Sequence, residues 1–110
     1  MLTKELVAAS AEPLVLSLLS GGESYGYAIL RDIEQLSGER IQWTEGMLYP
    51  VLHRLEQEGQ IRSRWKVGEN GRRRKYYTLS PSGRAALAVL KQQWLTVHET
   101  LIRLWEPSHV

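Results

Sequence analysis

The chain contains no cysteine. That single absence excludes disulfides, thiolate metal ligands and cysteine nucleophiles together, and leaves stability to packing and to association between copies. No apolar run approaches the roughly 20 residues that a membrane-spanning helix needs. The first ten residues carry Lys4 and Glu5 and lack the apolar core of a secretory signal, so a cytoplasmic protein with no membrane role is expected. His53, His98 and His109 stand at no zinc-binding spacing, no Gly-x-x-x-x-Gly-Lys phosphate loop occurs, and no serine has an identifiable base partner. The sequence therefore predicts no enzyme, no metal site and no cofactor.

What is present is a chain of 110 residues, 43% hydrophobic and 24% charged, which suits one soluble domain with one modest core. The net charge of +2 is unevenly spread. Residues 62–75 hold seven basic side chains against Glu69 alone, a local balance of +6, while the remainder carries seven basic against eleven acidic, or −4. Positive charge gathered on one element is the footprint of a surface that binds a polyanion.

Apolar periodicity orders the chain. Leu6, Val7, Leu14, Leu16, Leu18 and Leu19 fall in a first helical region that ends at Ser20-Gly21-Gly22; Pro13 either opens the main helix or sits within a longer, bent one. Ser24 is the expected N-cap of a second helix with Gly26, Ile29, Leu30 and Ile33 on one face, stopped by Gly38. Thr44 is the expected N-cap of a third. There Leu48, Val51, Leu52 and Leu55 form a buried stripe, and Gly46, Tyr49, Pro50, His53, Arg54 and Gln57 project outward. Pro50 crowds the Gly46 carbonyl and should distort the first turn.

Ile61, Trp65 and Val67 alternate with Arg62, Arg64 and Lys66, the period of a half-buried strand with its basic side out. Gly68-Glu-Asn-Gly71 is a hairpin tip, and residues 75–79 return as the partner strand, which places Arg72, Arg73 and Arg74 near the end of an antiparallel ribbon. Trp43 and Trp65 are expected as core or wing anchors, and Tyr76 and Tyr77 as strand packing. Ser80-Pro81 reads as N-cap and first residue of a helix running to about Trp105. Along it Leu87, Leu90, Trp94, Val97, Leu101 and Leu104 keep a three–four spacing, a heptad seam that calls for a partner helix. The predicted fold is mainly α with a two-stranded β-wing: a winged helix-turn-helix followed by a long C-terminal helix.

Four collinear segments carry a resemblance to the PadR family. Glu12 to Leu19 resembles its first helix; Tyr25-Gly-Tyr-Ala-Ile29 its His-Gly-Tyr-Glu-Ile segment; Glu45 to Gly59 its Gly-Thr-Leu-Tyr-Pro recognition helix; and Arg73 to Gly83 its wing and the start of its last helix. Met47 stands where the family often has threonine, and Tyr25 where histidine is common. The single terminal helix is similar to that of the family's short members.

The resemblance implies a ligand-responsive transcriptional repressor that binds double-stranded DNA at a palindromic operator as a homodimer. Residues 1–80 would form the DNA-binding winged helix-turn-helix and 81–110 the dimerisation helix, together one compact unit. Thr44, Tyr49, His53 and Arg54 are then the candidate contacts from the third helix, and Arg72, Arg73, Arg74 and Lys75 those from the wing. Arg54 has a competing partner in Glu58 at i, i+4. Leu87, Leu90, Trp94, Val97, Leu101 and Leu104 would form the dimer interface. Either Trp94 only fills the seam, or a two-fold axis passing nearby would bring it against its own copy, where the resemblance to multidrug-sensing members implies a slot for a planar aromatic or phenolic effector. The rival reading is a winged-helix module that docks proteins without specific DNA binding.

Overall fold

In the computed structural model, which describes residues 2–107, Thr3 accepts a hydrogen bond from the Leu6 amide at 3.2 Å and opens α1, Lys4–Ser20. The helix continues through Pro13, so of the two courses open to it the longer one holds. Its buried residues, Ala11, Val15, Leu16 and Leu19, lie from the middle of the helix onward, while Leu6 in its first turn and Leu2 just before it stay exposed.

After α1 the chain departs from expectation. Ser24 does not cap the second helix but forms, with Tyr25, a short strand β1 that pairs antiparallel with a later strand in the register Ser24 to Tyr77 and Tyr25 to Tyr76. Tyr25 becomes the N-cap of α2, Gly26–Leu36, without a side-chain capping bond. Thr44 does occupy the N-cap of α3, Glu45–Gln57, although its hydroxyl makes no capping bond either. Helix α3 runs unbroken through Pro50. Its first turn is tightened, the amides of Met47 and Leu48 both donating to the Thr44 carbonyl at 3.1 Å. Gly59, at φ 76°, ends the helix in the left-handed conformation that only glycine adopts cheaply, and the Gln60 amide closes back on Leu55 at 2.9 Å.

Strands β2, Ile61–Val67, and β3, Arg73–Leu79, form the hairpin, and β1 adds to the free edge of β3, giving a three-stranded sheet in the order β1-β3-β2 rather than a two-stranded ribbon. Only the base of the hairpin enters the core, with Leu79 packed against it and Ile61 and Tyr77 buried. Their side chains join Val15, Leu16, Ile29, Leu48, Leu52 and Leu55 in the core, with Trp43 beside them. Trp65 and Val67 lie beyond that cover and are exposed, against the half-buried pattern expected of them.

Ser80 caps α4, Pro81–Trp105, its hydroxyl accepting from the Gly83 amide at 3.0 Å, as expected. The same hydroxyl donates to the Gly59 carbonyl at 2.6 Å, and Ser82 donates there at 2.8 Å. A Cβ on Gly83 would overlap the Gln60 carbonyl, so α4 starts in direct backbone contact with the turn that follows α3. Ala86, Leu87 and Leu90 pack partly on the core, and from Lys91 to Pro107 every residue is exposed. The helix leaves the body as a rod. A long axis of 59 Å and a radius of gyration of 15.9 Å reflect this, against about 13 Å for a compact chain of this length. The last three residues of the 81–110 segment, His109 among them, lie outside the described residues. Among the described residues no helix is long and apolar enough to cross a membrane, and no cluster of side chains able to hold a metal ion occurs.

Candidate nucleic-acid interface

Helix α3 buries Leu48, Leu52 and Leu55 and turns Gly46, Pro50, His53 and Gln57 away from the core, spaced four, three and four residues apart along one exposed face. Tyr49 flanks that face on the wing side and is 44% exposed. Its ring is set by α2: a Cβ on Gly26 would collide with the Tyr49 phenol, so the glycine makes the seat in which the ring rests. Arg54, on the other flank, is held by Glu58 at 3.3 Å and by Glu12 at 3.7 Å. The expected i, i+4 partner is therefore present, joined by a second from α1.

The wing cations fall into two groups. Three of the seven are neutralised within the molecule: Lys66 and Arg64 converge on Glu23, the latter at 3.1 Å, and Lys75 meets Glu56 at 3.6 Å. The other four, Arg62, Arg72, Arg73 and Arg74, have no carboxylate partner among the described residues. Arg73 lies over the Trp65 ring at 5.3 Å and Arg74 over the Tyr25 ring at 4.4 Å. Both contacts follow from strand register. Arg73 and Trp65 are diagonal neighbours across β2 and β3, as are Arg74 and Tyr25 across β3 and β1. Stacking on aromatic faces limits the rotamers of these guanidiniums while leaving their N–H groups to solvent.

On the outer side of the sheet the stack continues. Tyr25 meets Tyr76 edge to face at 5.3 Å, Lys66 lies over Tyr76 at 4.2 Å, and Lys66 bonds Glu23. The hydrogen bond from Lys66, joined by one from Arg64, holds the Glu23 carboxyl below the usual carboxylate range, against partial burial that acts the other way. On the inner side Ser63 and Lys75 both reach Glu56 of α3, tying wing to helix. Burial, with smaller contributions from Tyr49 and Glu56, pushes the Tyr77 phenol up to about 12.

All five tyrosines of the chain gather around this junction. Tyr25, Tyr27, Tyr49, Trp65, Arg73 and Lys75 line a cleft between the start of α3 and the wing. Of the side chains expected from sequence to face nucleic acid, Thr44, Tyr49 and His53 lie exposed on or beside α3, and Arg72, Arg73 and Arg74 lie on the wing. Arg54 and Lys75 share the surface but are already paired. Periodicity could not reveal Glu23, Glu56 or the stacking role of Tyr25. Glu23 sits 43 residues before Lys66, and nothing local marks it as a partner. Trp43 is buried as expected, and Tyr77 is strand packing as expected.

The chain matches the PadR-like family of transcriptional regulators over residues 15–89. A transcriptional regulator of Mycobacterium tuberculosis is 44% identical over 54 residues, covering 49% of this chain and 50% of that protein. Among solved structures, a PadR-like transcriptional regulator from Bacillus cereus superposes with a TM-score of 0.84 at 28% identity, over 96% of this chain and all of that one. A PadR family regulator from Eggerthella lenta gives 0.75 at 32% identity, over 94% of this chain and 88% of its own. With the family match spanning most of the chain and the winged-helix architecture shared along nearly its whole length, the protein belongs to the PadR-like family of transcriptional regulators, a membership that implies regulation through DNA binding.

Proposed function

We propose that the protein is a ligand-responsive repressor that binds a palindromic operator as a homodimer. The observation that carries this reading is an exposed α3 face standing beside a wing with four arginines that meet no carboxylate among the described residues. The major groove of B-DNA admits a helix, and the wing then lies along the phosphates. Arg72, Arg73 and Arg74 supply charge to the backbone. Thr44, Tyr49 and His53 contact the groove or its rim. Arg54 and Lys75 reach DNA by exchanging a carboxylate for a phosphate.

Support for the dimer comes from α4. Leu87 and Leu90 are partly covered by the body, but Trp94, Val97, Leu101 and Leu104 are exposed along the same seam, with Leu95 and Ile102 beside them. A second copy of α4, aided by the exposed first half of α1, covers this face. In this reading residues 1–80 read DNA and 81–110 join the copies, and half-sites lie about one helical turn, ~34 Å, apart. Trp94, 38% exposed in the single chain, faces its counterpart near the two-fold axis and stacks a planar aromatic or phenolic effector there.

Selection of bound duplexes from a random library, followed by gel shifts across a salt series, tests the reading. A recovered palindrome whose shift weakens steeply with salt is expected. A protein that is monomeric by light scattering and shifts no duplex at low salt overturns it. Quenching of tryptophan fluorescence by planar cationic dyes or phenolic acids, lost in Trp94→Ala, tests the effector site; silence across a broad panel removes it.

A further inference from the structure

Gly46 is the only glycine of α3, and the fold gives no internal reason for it. Gly26 and Gly83 are required by close neighbours, and Gly22, Gly38, Gly59 and Gly71 adopt positive φ. Gly46 does neither. It is helical, outside the positive-φ set, and a Cβ added to it would meet only the Thr44 hydroxyl, at 3.7 Å, an ordinary contact. Pro50 crowds the Gly46 carbonyl from one turn on, yet the backbone at Gly46 stays in a conformation fully open to alanine. Glycine in a helix is less stable than alanine. The chain thus gives up helix stability to leave a side chain off the exposed face of α3.

That face is also poor in hydrogen-bonding groups where the gap lies. Gly46 has no side chain, and Pro50, next to it on the same exposed face, has neither a polar side chain nor an amide hydrogen. The first polar side chain along the strip is His53. A shallow notch floored by a glycine and a proline, with the Thr44 hydroxyl only at its edge, suits an apolar partner, and the apolar group that base edges present in the major groove is the thymine C5 methyl. We infer that Gly46 and Pro50 form a close-approach notch that receives a thymine methyl, so that one step of each half-site is read by shape and apolar contact instead of by hydrogen bonds. The inference rests on the reading of α3 as the groove helix.

The test uses the full-length protein, the duplex recovered by selection, and the variant Gly46→Ala. Wild-type protein is measured first; if it shows no salt-sensitive binding to any duplex, the groove-helix reading itself fails, before the variant is considered. Given binding, Gly46→Ala is expected to melt at the wild-type temperature or a few degrees above it, yet to bind the duplex on the order of tenfold more weakly. Replacing thymines one at a time by uracil removes only the methyl. One replacement per half-site should weaken wild-type binding several-fold and leave Gly46→Ala unchanged. A variant that binds as wild type does, or that melts at a lower temperature, overturns the inference, as does a wild-type protein indifferent to every uracil. A loss in Gly46→Ala that is equal on all sequences, with no uracil effect, places a phosphate in the notch and overturns the methyl assignment.

Discussion

Gly26 and Gly83 both lack a side chain because a neighbour occupies its space, but the neighbours differ, and so do the expected costs. At Gly83 the obstacle is the Gln60 backbone carbonyl, which cannot swing aside. Gly83→Ala is expected to lose about 2–3 kcal/mol in urea unfolding, the upper part of the range for overpacking. At Gly26 the obstacle is the end of the Tyr49 side chain, which can rotate away. Gly26→Ala should be milder in stability, at about 1 kcal/mol, while displacing a phenol from the proposed interface and weakening binding to the selected duplex. Tyr77 adds a pH signature. Its phenol ionises near the ordinary value of 10.0 in the unfolded chain and at about 12 in the fold, so stability should decline as pH rises from the first value towards the second. Tyr77→Phe should flatten that alkaline limb in thermal melts.

Among residues, the buried ones were largely legible and the exposed pairings were not. The Leu48, Leu52 and Leu55 stripe follows from helical spacing alone, because burial on a helix is a property of period. Trp65 shows where that reasoning stops. Alternation correctly placed Ile61 and Trp65 on one face, but whether a face is covered depends on which elements pack over it, and that is a tertiary fact.

At the scale of elements, the wing acts as a clamped hairpin with part of its charge already spent. Glu23 holds Lys66 and Arg64, and Glu56 holds Lys75, so total basic residues overstate the charge available to a phosphate. Arg72→Ala is therefore expected to reduce the log–log salt slope of duplex binding by about 0.9 for each phosphate left unneutralised, roughly two of them per dimer. Lys66→Ala should change it little, and competition gel shifts at several salt concentrations distinguish the two. The clamp also has a pH limit. Glu23 has its pKa lowered from 4.5, so its contribution is complete above that value and fades as pH falls through the lower folded value. Glu23→Gln should lower the melting temperature modestly at neutral pH and reduce the acid-side decline.

The third strand shows what element-level reading lacks. Two residues, Ser24 and Tyr25, are too few to carry a period, and their sequence suited a helix cap as well as a strand. They pair because β3 leaves an open edge beside them, and an unpaired edge recruits whatever backbone lies within reach. By contrast α4 was legible at both ends: Ser80-Pro81 supplies a local start signal, and the apolar repeat ends at Trp105 where Pro107 soon follows.

For the whole molecule, the exposed seam of α4 is a larger apolar surface than a small body can cover. If a second copy covers it, unfolding is linked to association, and the melting temperature should rise with protein concentration. Leu101→Glu places a charge mid-seam. It is expected to yield a monomer by sedimentation, with a lower and concentration-independent melting temperature and duplex binding weakened by at least roughly tenfold as bivalency disappears. Unchanged sedimentation would place the dimer interface elsewhere.

The hydroxyls of Ser80 and Ser82 on the single Gly59 carbonyl leave no slack between the end of α3 and the start of the rod. In the proposed dimer, two such rods crossing near Trp94 would work like the arms of a pair of callipers, with the pivot at one end and the tips at the other. Any wedge that alters the crossing angle changes the gap between the tips, and DNA of fixed helical pitch accepts only one gap.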